Sequence, residues 1–453
     1  MRKNKICGKY GQIHFVGILG VSMSGLAKFC LRKGAGVSGS DKASGDEAEK
    51  LKECGARVFE EHAEKNVGKA DLVVYTSAAD DRNPEILKAK ELGIKCMKRS
   101  EFLGTIMSKF GRSVAVAGSH GKTTTTAMLW EIFVRADKDP TVFVGGNYGE
   151  KGNFRYGEGN VVITEACEYK KNFLDLKPDL AVVLNIDNDH LDSFESFEGE
   201  VSAFGAFVRD CVAVLNADDE NAANLSVNSV TFGIKNPAVY MAKNIRKVSD
   251  GYSFVFYAYG KRIGKITLKI IGKHNIYNAL AAAAVADMSG IPFSVTAEAL
   301  GSFCGVQRRN EYLGVLCGLP VFADYAHHPA ELAATLSAYA ENGKNPIVVF
   351  QPHTYSRTRI LMADFLRVLG SREKVIIYKT FPARERYDEA GDGMTLAENL
   401  KKLTHCEYAD DDAVLVRKIE AFADVSDCVL VLGAGDIYDT VKQYCLHVAE
   451  EKK

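Results

Sequence analysis

The sequence predicts an α/β protein of three units: an N-terminal Rossmann-like unit, a central phosphate-loop unit with a parallel sheet plus a small antiparallel sheet, and a C-terminal Rossmann-like unit. Three observations carry this. Short apolar runs alternate with helical patterns along most of the chain. Several of those runs end in glycine turns or polar clusters, as strands do at the ligand-bearing edge of a parallel sheet. One stretch, RSVAVAGSHGKTTTTAMLW over Arg112–Trp130, passes from an apolar run through a glycine loop into a helix start. A chain of 453 residues has room for several domains, and we place them at 1–108, 109–312 and 313–453.

Bulk properties exclude other classes. The chain is 47% hydrophobic and 25% charged, the balance of a soluble globular protein, and its net charge is −1. No basic field argues for nucleic acid. No run approaches the ~18 apolar residues of a membrane span. The N-terminal MRKNKICGKYGQIHFVG is basic but has no long apolar segment, so it does not read as secretory. The 11 cysteines contain no C-x-x-C pair and fit reduced thiols in a cytoplasm.

In the first third, Ile13–Val16 reads as a strand, and GILGVSMSGLAKFCLRKG as a glycine turn opening a helix that stops at Gly34 or Gly36. Asp41 follows a second short strand. This is the outline of a dinucleotide site, but G-x-G-x-x-G fails at Leu19 and Ser22. A nucleotide-phosphate site at a helix N-terminus remains, with a nucleotide-sugar oxidoreductase as the rival reading. Asp71–Thr76 is a buried-strand run, and Asn83-Pro84-Glu85 opens another helix.

In the middle third, the loop Gly118-Ser119-His120-Gly121-Lys122-Thr123-Thr124 points backbone N–H groups at an anion. Lys122 reaches nucleotide phosphates and the Thr123 hydroxyl suits Mg²⁺. Strands Thr141–Val144 and Val161–Thr164 follow, the second delivering Glu165 at its C-terminal end. Strand Leu180–Leu184 ends in NIDNDHLDSF, which carries His190. Glu165, His190 and Thr123 form one candidate Mg²⁺ environment. Residues 229–271 are rich in β-branched and aromatic residues and read as antiparallel strands. A helix starts near His274 and ends at Gly290, with Asn275 and Asn278 on one face; amides there suit a purine edge, and simple capping by Asn275 is the alternative. Arg308 and Arg309 lie on a linker-like stretch near Gly301–Gly318, where one arginine would close over phosphates.

In the last third, strand Val321–Tyr325 ends in DYAHHPAEL, placing Asp324, His327 and His328 at its tip and Pro329 at a helix start. Adjacent histidines on a turn rarely hold one ion, so no transition-metal site is expected. Ile347–Phe350 runs into QPHTYSRTR, and Val429–Leu432 into GAGDI, with Lys374–Tyr378 between them. Asp324, His327, His328 and Arg357 therefore fall at strand ends and are expected to face a nucleotide site. Arg357 is the candidate for a substrate carboxylate, which guanidinium matches bidentately.

Taken in order, GSHGKTTT, EACE, NIDNDH, HN-x-x-N, QRRNE, DYAHHPAE, FQPHTYSRT and GAGDI closely resemble the Mur ligase superfamily, over nearly the whole chain. Within it they are most similar to members that join L-alanine to UDP-N-acetylmuramate. The resemblance implies ATP and Mg²⁺ as cofactors and an acyl-phosphate intermediate. It assigns Gly17, Gly20, Val21, Ser22, Met23, Ser24, Asp41 and Ser77 to the UDP-sugar. It assigns Gly118 to Thr124, His274, Asn275, Asn278 and Asp324 to ATP, and Thr123, Glu165 and His190 to the metal. Lys122, Glu165, His190 and Arg309 are the implied catalytic residues; Tyr325, His327, His328 and Arg357 are the implied amino-acid contacts. It further implies a cytoplasmic monomer or weak homodimer with no nucleic-acid or membrane partner, and a third domain that closes on ATP. Murein peptide ligase, which attaches a peptide to the same sugar nucleotide, is the near alternative; a non-catalytic nucleotide-binding regulator is a remoter one. The chain departs from the family's usual residues at Leu19, Ser22, Cys167 and Thr354.

Overall fold

The computed structural model describes residues 10–42, 45–80, 82–187, 194, 196–225, 227–248, 251–383 and 385–450. These form two compact units. The first holds the described residues up to Lys269 together with Asn275–Phe303; the second holds Ile270–His274 and the described residues from Cys304 onward.

The first unit contains two sheets among its described residues. The N-terminal one comprises β1 (Gln12–Val16), β2 (Gly36–Ser40), β3 (Arg57–Phe59), β4 (Leu72–Tyr75) and β5 (Lys95–Lys98). All pair in parallel in the order β3-β2-β1-β4-β5. The second comprises β6 (Arg112–Ala117), β7 (Thr141–Phe143), β8 (Phe154–Arg155), β9 (Val161–Glu165), β10 (Leu180–Val183), β11 (Val212–Asn216), β12 (Ser229–Gly233), β13 (Tyr240–Val248), β14 (Gly251–Ala258) and β15 (Lys261–Leu268). Its order is β15-β14-β13-β12-β11-β10-β6-β9-β7-β8. The expected antiparallel strands are β13, β14 and β15; they are not set apart but extend the edge of the parallel sheet through the β12–β13 pair.

β6 lies between β10 and β9, parallel to both. Its Val114–Ala117 run is fully buried, which is why it reads as a continuous apolar run rather than an alternating one. The register matters for function: Val116 pairs with Glu165, and Ala117 pairs with Val183. The three strands thus end side by side. One apolar core joins the two sheets, and Phe29 packs against Phe143 and Phe154 with ring centroids 5.9 and 6.4 Å apart.

The second unit holds β16 (Glu311–Leu316), β17 (Leu319–Asp324), β18 (Pro346–Phe350), β19 (Lys374–Tyr378), β20 (His405–Ala409) and β21 (Cys428–Leu432), ordered β16-β17-β21-β18-β19-β20. All pairs are parallel except β16–β17. Here the linker reading of Gly301–Gly318 is corrected. Part of it is strand β16, and the boundary expected at 312–313 falls inside that strand. The cause is a two-residue hairpin turn: Cys317 (φ 50°) and Gly318 (φ 79°) are both left-handed, as a type I′ turn requires, and Leu316 pairs with Leu319. Cys-Gly is a weak sequence signal for such a turn. The helix Phe293–Ser302, just upstream, was likewise not expected.

Candidate functional site

The loop after β6 opens the helix Lys122–Arg135. Gly118 and Gly121 both take positive φ, 135° and 86°. A Cβ on Gly121 would stand 2.4 Å from Asn278 Oδ1, so only glycine fits this approach. The first backbone bond of the helix runs from Thr125 N to Gly121 O. The N–H groups of Lys122, Thr123 and Thr124 therefore have no intrahelical acceptor and form a cradle for an anion.

The neighbouring strand ends brace the loop. Asn185, just past β10, accepts from His120 N through its Oδ1 at 2.8 Å and donates back to His120 O through Nδ2 at 3.1 Å. Asp187 N donates to Ser119 Oγ at 2.8 Å, and Asp187 Oδ2 lies 3.2 Å from His120 Nε2. Lys122 Nζ donates to Ser119 O at 3.0 Å and pairs with Glu168 Oε1 at 2.8 Å. Burial works against its charge, but Glu168, Cys167 and Glu165 more than offset that and hold its pKa above the ordinary lysine value. Glu168 is 1% exposed. Its position beside Lys122 was not singled out from the sequence, although it closes the EACE segment.

Thr123 Oγ1 donates to Glu165 Oε2 at 3.1 Å, while Glu165 Oε1 accepts Gly145 N at 2.5 Å. Two hard-oxygen side chains thus meet beside the anion cradle. Among the described residues no three His, Cys, Asp or Glu side chains gather as a metal cluster. A sparse oxygen set suits Mg²⁺, which keeps waters and substrate phosphates in its shell. His190 lies outside the described residues. Asn278 Nδ2 donates to Asn275 Oδ1 at 3.0 Å, both side chains being buried, and this amide pair abuts Gly121.

The glycine turn after β1 is built similarly. Gly17 has φ 83°, and Gly17 N and Ile18 N donate to Ser40 O. Asp41 Oδ2 accepts Leu19 N at 3.0 Å, which fastens the turn to the end of β2. Ser24 N donates to Gly20 O, leaving the N–H groups of Val21, Ser22 and Met23 at the open N-terminus of the helix Val21–Arg32. Met23 is in the core, and Ser24 Oγ accepts Asn153 Nδ2 at 3.0 Å. These two side chains are committed inward, and only their backbone is left for a ligand. Ser77 Oγ donates to Asn172 Oδ1 at 3.0 Å.

In the second unit the ends of β17, β21 and β18 are neighbours. Asp324 Oδ2 accepts Asn310 N and its Oδ1 accepts Ala326 N, both at 2.9 Å. Burial pushes the Asp324 carboxyl up to about 6, against the opposing pull of Arg309. The Arg309 guanidinium sits 5.2 Å from the Tyr325 ring centroid and 4.0 Å from Glu331. Glu331 Oε2 accepts the backbone N–H of His327 at 3.0 Å, and the His328 ring caps the helix Pro329–Glu341. The His327 and His353 rings meet edge-on at 5.6 Å, and Arg357 Nη1 donates to His353 O at 2.9 Å. His353 is held neutral: burial, then the charges of His327 and Arg357, lower its pKa to about 4. The structure therefore brings His327, His353 and Arg357 together, and His353 is the member not counted among the expected contacts.

Three family models match: "Mur ligase family, catalytic domain" over residues 12–111, "Mur ligase middle domain" over 116–286, and "Mur ligase, glutamate ligase domain" over 308–435. A UDP-N-acetylmuramate–L-alanine ligase of Caldanaerobacter subterraneus subsp. tengcongensis is 42% identical over 98% of this chain and 99% of its own length. One from Aquifex aeolicus is 39% identical over 97% and 98%. The crystal structure of UDP-N-acetylmuramate-alanine ligase from Thermotoga maritima superposes with TM-score 0.81 at 29% identity, covering 98% of this chain and all of that one. A murein peptide ligase from Psychrobacter arcticus shares the fold, with TM-score 0.71 at 22% identity over 96% of this chain and 98% of that one. The three family models and the full-length relatives at this identity, in keeping with a glycine loop that leads into Lys122 and the Thr123–Glu165 pair, place the chain in the Mur ligase family.

Proposed function

We propose that this protein joins L-alanine to the lactyl carboxylate of UDP-N-acetylmuramate, using ATP, as a ligase of peptidoglycan synthesis. The observation that carries this is the full-length likeness to L-alanine ligases, 42% over 98% of the chain. The site chemistry agrees with it. A carboxylate is a poor acyl donor until it is activated. Its attack on the γ-phosphorus gives an acyl phosphate and ADP; the alanine amine then attacks the acyl carbon, and phosphate leaves.

The first step brings two anions together. Lys122 and the N–H groups of Lys122–Thr124 offset that repulsion, acting by position and fixed charge. Mg²⁺, when bound, supplies the remaining positive charge on the phosphate oxygens. Thr123, Glu165 and His190 would hold it. Gly118–Thr124 bind the ATP phosphates; Asn275 and Asn278, with His274, serve the nucleotide from the next helix, and Asp324 does so from β17. The turn Gly17–Ser24 takes the sugar nucleotide's diphosphate, supported by Asp41 and Ser77. Residues 1–108 are the sugar-nucleotide domain in this reading, the stretch from 109 to about Phe303 the ATP domain, and the remainder the amino-acid domain. Arg309, which follows the ATP domain in the chain, serves catalysis, and Tyr325, His327, His328 and Arg357 serve alanine. Among the described residues no helix is long and apolar enough to cross a membrane. ATP and the sugar nucleotide are cytoplasmic metabolites, so we assign the protein there.

Phosphate release from ATP in the presence of UDP-N-acetylmuramate, with amino acids scanned singly, tests this. L-Alanine is expected to drive release. Release with the tripeptide but not with alanine would indicate a murein peptide ligase. ATP binding without substrate-dependent release would indicate a regulator.

A second expectation concerns Arg357. Its Nη1 is oriented by His353 O, so the guanidinium is held rather than free. Arg357→Ala is expected to raise the alanine KM by about tenfold, the worth of one charge-assisted hydrogen bond, while the KM values for ATP and sugar nucleotide stay put. Steady-state kinetics with each substrate varied would check it. A rise confined to ATP would move Arg357 to the phosphates.

A further inference from the structure

Arg99 is the first residue of the helix Arg99–Met107, directly after β5. It stands at the C-terminal edge of the N-terminal sheet, where ligands of parallel sheets gather. A cation at a helix N-terminus gains nothing from the helix, whose positive end favours anions. The helix does not need it as a cap either, since Glu101 Oε2 accepts Lys98 N at 3.0 Å.

The side chain is half-buried and turns toward the glycine turn, where Nη1 donates to Ser22 Oγ at 2.9 Å. Among the described residues this is its one hydrogen bond, and no carboxylate pairs with it. Burial pulls its pKa below the ordinary arginine value, and the nearby titratable groups Cys167, Asp175 and Glu165 do not offset that. Two of those groups are already engaged: Asp175 by Ser100 Oγ at 2.5 Å, and Glu165 by Gly145 and Thr123. Guanidinium has five N–H donors, and one is used. Partial burial of a cation without a counter-anion is costly, which makes this position hard to explain by stability alone.

We infer that Arg99 is a further substrate-binding residue, a guanidinium that grips an oxyanion of the sugar nucleotide between the glycine turn and the Thr123–Glu165 pair. The inference rests on the sugar-nucleotide reading above. Ser22 ties Arg99 to the turn assigned to the diphosphate, and Glu165 and Cys167 lie toward the phosphate loop, where the lactyl carboxylate must react. Diphosphate and carboxylate offer the same chemistry, planar or tetrahedral oxyanions that accept paired N–H donors.

Calorimetric titration of the full chain without ATP separates the possibilities. The ligands are UDP-N-acetylmuramate and UDP-N-acetylglucosamine, which keeps the diphosphate but lacks the carboxylate. Arg99→Gln is expected to weaken UDP-N-acetylmuramate binding by about 10- to 100-fold, as loss of a charged hydrogen-bond partner does, and to raise its KM in parallel while the ATP and alanine KM values change little. Arg99→Lys, which keeps the charge, should recover part of the loss. An equal loss for UDP-N-acetylglucosamine would put the guanidinium on the diphosphate; no loss would put it on the carboxylate. Wild-type affinity in a folded Arg99→Gln protein would overturn the inference. So would a drop in thermal stability with all three KM values rising together, the mark of a purely structural arginine. A wild-type protein that binds neither sugar nucleotide would instead bring down the function reading on which this one stands.

Discussion

Lys122→Ala is expected to lower kcat by about 10²–10³, the usual cost of removing one donor aimed at charge that develops in the transition state. The structure adds a complication that shapes the experiment. Lys122 is the cation paired with Glu168, a carboxylate 1% exposed. Its removal takes the counter-charge from a buried carboxylate, an effect typically worth about 3–5 kcal/mol of stability. A dead Lys122→Ala protein would therefore be ambiguous by itself. Lys122→Ala combined with Glu168→Gln removes the buried negative charge as well, so thermal stability should return toward wild type while turnover should not. Recovery of turnover in the double variant would mean that Lys122 acts by holding Glu168 and the loop. Wild-type turnover in the folded single variant would remove Lys122 from the chemistry altogether.

The parts of the site that were legible in the sequence are those where local chemistry and sheet topology agree. A buried parallel strand running into Gly118-Ser-His-Gly-Lys-Thr has few other uses, and Glu165 is also read from a strand end. Their proximity depends on β9 pairing with β6 rather than with β10, which no spacing in the sequence states. The hairpin β16–β17 was hidden because Cys317-Gly318 lacks the usual Asn-Gly or Asp-Gly signature and because Arg308-Arg309 reads as polar linker. His353 sits inside a recognised segment but takes its character from burial and from the charges of His327 and Arg357, which come from the fold. Arg99 carries no motif at all. It becomes visible only when β5 is seen at the edge of the sheet that also presents Ser22.

The metal is the other place where a large effect is expected. Glu165 is fixed from two sides: Gly145 N holds one oxygen, and the Thr123 hydroxyl holds the other. A carboxylate oxygen can accept a hydrogen bond and bind a hard cation at the same time, and Glu165 stands at the strand end beside the phosphate cradle. Glu165→Gln keeps an acceptor for Gly145 N and loses the charge, so the loop geometry should survive while the cation loses a ligand. Changing even an outer partner of a metal site costs about 10- to 100-fold in metal affinity, and a direct ligand should cost no less. The Mg²⁺ concentration for half-maximal phosphate release should rise at least that far, with the loss partly recovered at high Mg²⁺. His190→Ala should shift the same titration in the same direction. Thr123→Ser retains the hydroxyl and should shift it little, whereas Thr123→Val should shift it as Glu165→Gln does. Full activity in excess EDTA, or a Glu165→Gln titration that overlays the wild-type curve, would remove the cation from this strand end and leave the fixed charges of the loop to neutralise the phosphates alone.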